Sequence, residues 1–149
     1  HGCLVGSEMC IRDRSLNELS AGKKVVLFAV PGAFTPTCSA QHLPGFIERS
    51  KEIKEKGVDL IACVSVNDPF VMKAWGEDRN VGEDVMMLSD GNGEFTAAIG
   101  LEMDGSGFGL GTRSQRYAMI IDDGAVSVLN VEQGPGLDVS SADTVLEQL

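Results

Sequence analysis

Cys38 is the residue whose side chain and position most clearly point to chemistry. It follows an apolar run, Val25–Val30, and a short loop, Gly32–Thr37, and it begins a segment whose pattern predicts a helix. Backbone N–H groups of a first helical turn point at such a residue, and the helix dipole favours an anion there. The thiolate is the nucleophilic form of cysteine. The position therefore predicts a redox nucleophile, although a free cysteine is often only a small buried hydrophobe.

Thr35 and His42 lie close enough to Cys38 in sequence to take part in its chemistry. The Thr35 hydroxyl, three residues earlier, can hydrogen-bond the thiolate or a substrate oxygen. His42 follows four residues later, one helical turn along the same face, so a Cys–His hydrolase or a metal pair is conceivable. The hydrolase lacks an evident third group to orient the histidine, and two ligands do not make a zinc site. We therefore interpret His42 as a neighbour of the nucleophile and expect no metal.

The elements that must position Cys38 follow from the apolar pattern. Runs that are apolar on both faces indicate strands covered from both sides. Strands are predicted at Val25–Val30, Val58–Val66, Val85–Leu88, Tyr117–Ile121 and Ala125–Val131. Helices are predicted at Cys38–Lys56, Phe70–Arg79, Glu94–Ile99 and Ser140–Leu149, with a helical turn at Ser15–Ser20. Pro44 is expected to bend the first of these helices near its start.

This order of elements predicts one α/β domain. Helices between buried strands imply right-handed crossovers and helices on both faces of one sheet. Asp122-Asp123-Gly124 separates the last two strands and indicates a hairpin, so the sheet is mixed. We predict a thioredoxin-like fold over residues 15–149, with a central mixed β-sheet flanked by helices on both faces. Residues 1–14 are interpreted as a non-native leader because they show no clear period and resemble translated adapter sequence.

The composition argues against several classes of function. A net charge of -10, with only 12 Lys and Arg and no dense basic cluster, argues against a nucleic-acid or anionic membrane partner. The apolar runs fall short of the roughly 20 residues of a membrane span. The loop Gly105–Gly111 fails the dinucleotide-binding spacing, so no nucleotide cofactor is expected. No two of the four cysteines form a Cys-x-x-Cys pair, which favours free thiols in a reducing compartment. They are Cys3, Cys10, Cys38 and Cys63.

Four stretches of the sequence resemble one family. Pro31–Ser39, which reads PGAFTPTCS, resembles the active-site signature of peroxiredoxins. The continuation His42–Phe46 narrows the resemblance to the type-5 or plant type-II branch. Ser65–Asp68 and Gly111–Tyr117 are similar to the same branch. The likeness covers roughly residues 15 to 149.

The resemblance implies a thiol-dependent peroxidase that reduces hydrogen peroxide and alkyl hydroperoxides through a Cys38 sulfenic acid. It assigns catalytic roles to Cys38, Thr35 and Arg116, where the arginine would stabilise the thiolate and the transition state. The residues expected to surround them are Pro31, Thr37, His42 and Arg113. No cofactor is implied. The alternative is a non-catalytic thioredoxin-like binding or chaperone module.

A second, resolving cysteine is not evident. Many members of this branch carry one before the last helix, and the matching position here is Val139. Cys63 lies in a predicted buried strand and is interpreted as structural. We therefore expect an external reductant, either glutaredoxin with glutathione or thioredoxin. The resemblance also implies a homodimer, and we expect a cytoplasmic protein, or an organellar one if a targeting segment has been lost.

Overall fold

The computed structural model describes residues 4–6, 13–14, 20–134 and 137–149. Its strands are β1 (Leu4–Gly6), β2 (Asp13–Arg14), β3 (Lys24–Ala29), β4 (Leu60–Ser65), β5 (Met86–Ser89), β6 (Glu102–Asp104), β7 (Thr112–Ser114), β8 (Tyr117–Asp122) and β9 (Ala125–Val131). Its α-helices are α1 (Leu43–Glu48), α2 (Ser50–Glu55), α3 (Pro69–Asp78), α4 (Glu94–Ala98) and α5 (Ala142–Gln148).

The main sheet is mixed, as predicted. Its strand order over the described residues is β2-β1-β5-β4-β3-β8-β9. β3, β4 and β5 run parallel, while β8 pairs antiparallel with both β3 and β9. The parallel pairs are joined by crossovers through α1, α2 and α3, since antiparallel hairpins cannot connect parallel strands. The β8–β9 hairpin lies where Asp122-Asp123-Gly124 predicted it.

Both faces of the sheet are buried, which explains the unbroken apolar run of β3. Val26 and Phe28 point into one cluster that also holds residues of α1, α2, α3 and α5. Val25 and Leu27 point into a second cluster, which includes Phe95 of α4. Alternate residues of one strand therefore belong to different cores. The thioredoxin-like plan with helices on both faces is confirmed.

The prediction of one continuous helix over Cys38–Lys56 is wrong, because the structure has a π-helical turn followed by α1 and α2. Helical hydrogen bonding begins earlier, because the Ser39 N–H donates to the Thr35 carbonyl at 2.9 Å. Cys38–His42 forms a π-helical turn that closes with the Leu43 N–H on the Cys38 carbonyl. Pro44 has no N–H to donate and its ring crowds the carbonyl four residues back, so a wider turn before it relieves the contact.

Residues 1–14 were left out of the predicted fold, yet two short strands lie among them. β1 pairs antiparallel with β5, with Val5 opposite Ser89 and Gly6 opposite Leu88, and β2 pairs with β1. An edge strand offers unpaired N–H and C=O groups, and backbone pairing requires no side-chain period. Cys3, Cys10 and all of the predicted turn Ser15–Ser20 except its last residue lie outside the described residues.

The glycine-rich loop Gly105–Gly111 is carried by a ribbon that the sequence pattern did not predict. β6 and β7 pair antiparallel on either side of it, and Gly105 N–H donates to the Gly111 carbonyl at 2.7 Å. A 3₁₀ turn, Ser106–Phe108, fills the loop. The strands have only three residues each, too few to show an alternating pattern. Within the described ranges, none of the helices is both long and apolar enough to cross a bilayer.

Replacing Phe46 with alanine should destabilise the fold strongly. The Phe46 side chain is fully buried and stacks on Phe28 with ring centroids 4.0 Å apart. We expect Phe46→Ala to lower the free energy of unfolding by about 3–5 kcal/mol in urea titrations. Phe70→Ala is the matched control, because Phe70 is 71% exposed, and should change it by no more than about 0.5 kcal/mol. Equal losses in the two variants would contradict the described core.

Candidate active site

The site lies where β3 ends and β8 begins. The chain leaves β3 at Ala29, passes through the loop, and places Cys38 in the first helical turn, with its side chain fully buried. β8 runs antiparallel to β3, with Tyr117 opposite Ala29. The residue before β8, Arg116, therefore reaches the same edge of the sheet as Cys38. Alternation along the strand sends Tyr117 to the other core, where its ring belongs to the second cluster.

Arg116 contacts the thiol directly. Its Nη2 donates to the Cys38 Sγ at 3.0 Å, and its Nη1 donates to His42 Nδ1 at 2.8 Å. Arg116 is only 7% exposed, so little water screens its charge. A guanidinium remains charged at any ordinary pH and its planar fork holds two acceptors at once. The guanidinium therefore supplies both a hydrogen bond and a positive charge at the sulfur.

His42 is a neutral orienting group. Its Nε2 lies 2.9 Å from the Ser140 carbonyl, which can only accept, so Nε2 carries the proton and Nδ1 offers its lone pair to Arg116. The ring lies beside the stacked pair Phe28 and Phe46, with its centroid 4.9 Å and 5.6 Å from theirs. Burial, with the charge of Arg116, lowers the pKa of His42 from 6.5 to about 3. Because Arg116 occupies the Nδ1 lone pair, His42 has none left to act as the base of a hydrolase or to bind a metal.

The Thr35 hydroxyl already donates its proton within the loop. Its hydroxyl donates to the Gly32 carbonyl at 2.6 Å. A hydroxyl has one proton to donate and two lone pairs, so the Thr35 oxygen remains able to accept a hydrogen bond from a peroxide O–H. The hydroxyl was predicted to hydrogen-bond the thiolate or a substrate oxygen, and in the structure its proton goes to the loop backbone instead.

Asn67 holds the loop that carries Thr35, a role that the sequence analysis missed. Its Oδ1 accepts from the Ala33 N–H at 3.0 Å and from the Ser65 hydroxyl at 2.6 Å. Phe34, the residue after Ala33, adopts a left-handed backbone with φ of 64°, which is strained for a bulky side chain. The signal was available, because Asn67 follows a parallel strand at the edge where Cys38 lies.

The remaining residues that the sequence singled out lie around the site rather than on the thiol. Pro31 and Thr37 are half-buried on either side of the loop. Arg113, the other arginine considered, donates from Nε to the Leu110 carbonyl at 2.9 Å. Its Nη1 lies 3.5 Å from where a Cβ on Gly32 would stand, so it lies beside the loop that leads to Cys38. The thiol contact belongs to Arg116.

Cys63 lies in β4 with its side chain fully buried. Burial, with the neighbouring charge of Cys38, raises the pKa of the Cys63 thiol well above its usual range. A protonated thiol without access to solvent is a poor nucleophile. Both cysteines of the described region, Cys38 and Cys63, are free. Val139, at the position compared with a resolving cysteine, is 38% exposed.

Among the described residues, no three His, Cys, Asp or Glu side chains are grouped so that they could hold a metal ion. The chemistry that the site can support rests on the protein's own groups. These are a buried sulfur, a fixed cation beside it and a hydroxyl oxygen in the loop that precedes it.

Comparison with known proteins gives consistent results. The family model described as Redoxin matches residues 11–146. Peroxiredoxin-2B of Arabidopsis thaliana is 55% identical over 139 residues, which cover 93% of this chain and 86% of that protein. Peroxiredoxin-2E, chloroplastic, of the same plant is 53% identical over 141 residues, covering 93% of this chain. The chain spans 60% of the length of that protein and of the chloroplastic Peroxiredoxin-2E-2 of Oryza sativa subsp. japonica.

Solved structures agree with this. Reduced Prx3 of Vibrio vulnificus in complex with H₂O₂ superposes with a TM-score of 0.95 at 58% identity, covering 99% of this chain and 92% of that one. Peroxiredoxin 5 of Alvinella pompejana gives a TM-score of 0.85 at 36% identity, covering 97% of this chain and 90% of that one. The chain belongs to the redoxin family and, within it, to the peroxiredoxins.

Proposed function

We propose that this chain is a thiol-dependent peroxidase that reduces hydrogen peroxide and alkyl hydroperoxides. The observation that supports this most directly is the 3.0 Å contact between Arg116 Nη2 and Cys38 Sγ in a site closed to water. Such a contact stabilises a thiolate without neutralising it by proton transfer, because a guanidinium keeps its protons. The relatives named above are peroxiredoxins.

In the proposed reaction, the Cys38 thiolate attacks the terminal oxygen of the hydroperoxide. An S–O bond forms as the O–O bond breaks, and two electrons pass from sulfur to the peroxide. The second oxygen leaves as an alkoxide or hydroxide, takes a proton and departs as alcohol or water. Cys38 becomes a sulfenic acid.

Charge develops on the leaving oxygen during this step, and fixed donors there lower the barrier. The guanidinium of Arg116 is the donor already placed beside the sulfur. The Thr35 oxygen accepts a hydrogen bond from the peroxide O–H, since the Thr35 hydroxyl already donates its own proton to the Gly32 carbonyl. Pro31 and Thr37 exclude water from the thiolate, and Arg113 flanks the loop at Gly32.

An external thiol would then restore Cys38. A first thiol attacks the sulfenic sulfur, releases water and forms a mixed disulfide, and a second thiol attacks that disulfide and frees the Cys38 thiolate. Valine at position 139 and the buried, protonated Cys63 support this scheme. Because Cys38 is itself fully buried, a small thiol reaches it more readily than a protein surface does. Glutathione with glutaredoxin is therefore our first choice and thioredoxin our second.

We further propose a homodimer formed through the active-site end, and a cytoplasmic location. Phe34, in the loop before Cys38, is half-exposed, and the centroid of its ring lies 6.4 Å from that of Trp75 in α3. An exposed aromatic ring at that end is typical of an interface. Free thiols at Cys38 and Cys63 suit a reducing compartment. A plastid is the alternative location, since two of the relatives are named as chloroplastic.

Stoichiometric hydrogen peroxide should add one oxygen atom to Cys38. Mass spectrometry of the intact protein and of its peptides would show the gain, and a sulfenic-acid trap such as dimedone would label the same residue. Cys38→Ser should lose both signals, while the control Cys63→Ser should keep them. A disulfide between Cys38 and Cys63 in the folded protein would refute the one-cysteine scheme.

Arg116→Ala should slow peroxide consumption by about 10²-fold or more, because one fixed donor at the developing charge is lost. Stopped-flow measurement of the second-order rate constant would test this. Arg79→Ala is the matched control, since Arg79 ends α3 and pairs with the exposed Asp78. Unchanged rates in Arg116→Ala would instead support a non-catalytic binding or chaperone module.

Peroxide turnover should be faster with glutaredoxin and glutathione than with thioredoxin and its reductase, because a small thiol reaches the buried sulfur. Both coupled assays follow oxidation of NADPH by the same amount of enzyme. Faster turnover with thioredoxin would reverse our choice of reductant. Absence of turnover with both systems, in a protein whose Cys38 still forms a sulfenic acid, would rule out these two reductants.

A further inference from the structure

Residues 137–140, which we call the strap, lead into α5 and supply one of the contacts of the active site. Ser140 is fully buried, and its carbonyl accepts the proton of His42 Nε2 at 2.9 Å. That bond favours the tautomer of His42 with its proton on Nε2. The position of a single carbonyl in the strap therefore helps to keep the lone pair of Nδ1 available to the guanidinium.

One carboxylate holds the strap in place. Oε2 of Glu132 accepts from the Asp138 N–H at 2.8 Å, from the Ser140 N–H at 2.8 Å and from the Ser140 hydroxyl at 2.6 Å. The backbone of Glu132 is tied to the active site as well, because its N–H donates to the Arg116 carbonyl at 2.9 Å. Glu132 thus connects the strap to the residue that contacts the nucleophile.

We propose that Glu132 is a positioning residue of the peroxidase site, which acts by fixing the Ser140 carbonyl and, through His42, the orientation of Arg116 toward Cys38. The inference rests on the proposed function. The hydrogen bonds that link Glu132 to Cys38, through Ser140, His42 and Arg116, are each 3.0 Å or shorter.

The direction of each hydrogen bond explains why the chain of contacts matters. If the Ser140 carbonyl moves away, only the donation from Arg116 to Nδ1 still favours the proton on Nε2, and whenever the proton moves to Nδ1 it faces an N–H of Arg116. Two donors facing each other repel, so the guanidinium loses the acceptor that fixes its second nitrogen. The remaining contact with Cys38 is then free to swing, and a donor displaced by a fraction of an ångström stabilises developing charge less well.

The carboxylate suits this role because of its charge. Burial alone would raise the pKa of Glu132, but hydrogen bonds from Ser140, Asp138 and Val139 lower it. The group is ionised at neutral pH and can accept several bonds at once. An amide of the same shape offers a weaker acceptor, which makes Glu132→Gln a graded change rather than a deletion.

The test compares Glu132→Ala and Glu132→Gln with Ser141→Ala. Ser141 caps α5 by accepting from the Thr144 N–H at 3.3 Å, and its hydroxyl also donates to the Asp138 carbonyl at 3.3 Å. Its loss weakens the same helix and one contact of the strap, while the three hydrogen bonds to Glu132 keep their donors. Stopped-flow rates of Cys38 oxidation by hydrogen peroxide are measured from pH 5 to 9. Nitrogen NMR of the imidazole, assigned by its loss in His42→Asn, reports the tautomer.

We expect Glu132→Ala to lower the rate at pH 7 about tenfold, to move the pH of half-maximal rate upward and to mix the two tautomers of His42. Glu132→Gln should shift the same quantities in the same direction by less. Ser141→Ala should lower thermal stability and leave rate, pH profile and tautomer as in the wild type.

Wild-type rate and pH profile in both Glu132 variants would overturn the proposal. So would equal shifts in Ser141→Ala, because the effect would then belong to helix stability. If the wild-type protein failed to react with peroxide, the proposed function would fail. The tautomer of His42 in the variants would still decide the positioning role.

Discussion

The fixed charge of one buried guanidinium organises this site. Arg116 cannot lose its proton, so the surroundings must supply acceptors at positions that a planar fork can reach. They supply two, the sulfur of Cys38 and Nδ1 of His42. The antiparallel register of β3 and β8 brings residues 78 positions apart to the same end of the sheet. A helix end favours a thiolate in many proteins, and here a permanent cation also lies 3.0 Å from the sulfur.

Much of the architecture could be predicted because it depends on local patterns. β3 is apolar on both faces because each face meets its own core. The hairpin at Asp122–Gly124 follows from turn chemistry that acts within a few residues. Cys38 was recognisable from a strand, a loop and a helix start that are adjacent in sequence. Arg116 was recognisable only through a family motif, since nothing in its neighbourhood distinguishes it from a surface arginine.

The features that sequence could not supply depend on contacts between distant residues. Asn67 reaches a loop 34 positions away, and His42 reaches Ser140 across 98. The π turn at Cys38–His42 arises because Pro44 must be accommodated inside a packed helix, where a simple bend was expected. β1 and β2 join the sheet by backbone pairing, which requires no side-chain pattern that a sequence could reveal.

The neutrality of His42 has a consequence for the whole protein. An exposed histidine of the unfolded chain takes up a proton near pH 6.5, whereas His42 in the folded protein does so only near pH 3. Between these values folding must expel a proton from the imidazole, so the folded state loses up to about 1.4 kcal/mol for each unit of acidification. The group that keeps the guanidinium aimed at the sulfur therefore also links folding to proton concentration. Acid weakens the fold through the same side chain that neutral conditions use to organise the catalytic site.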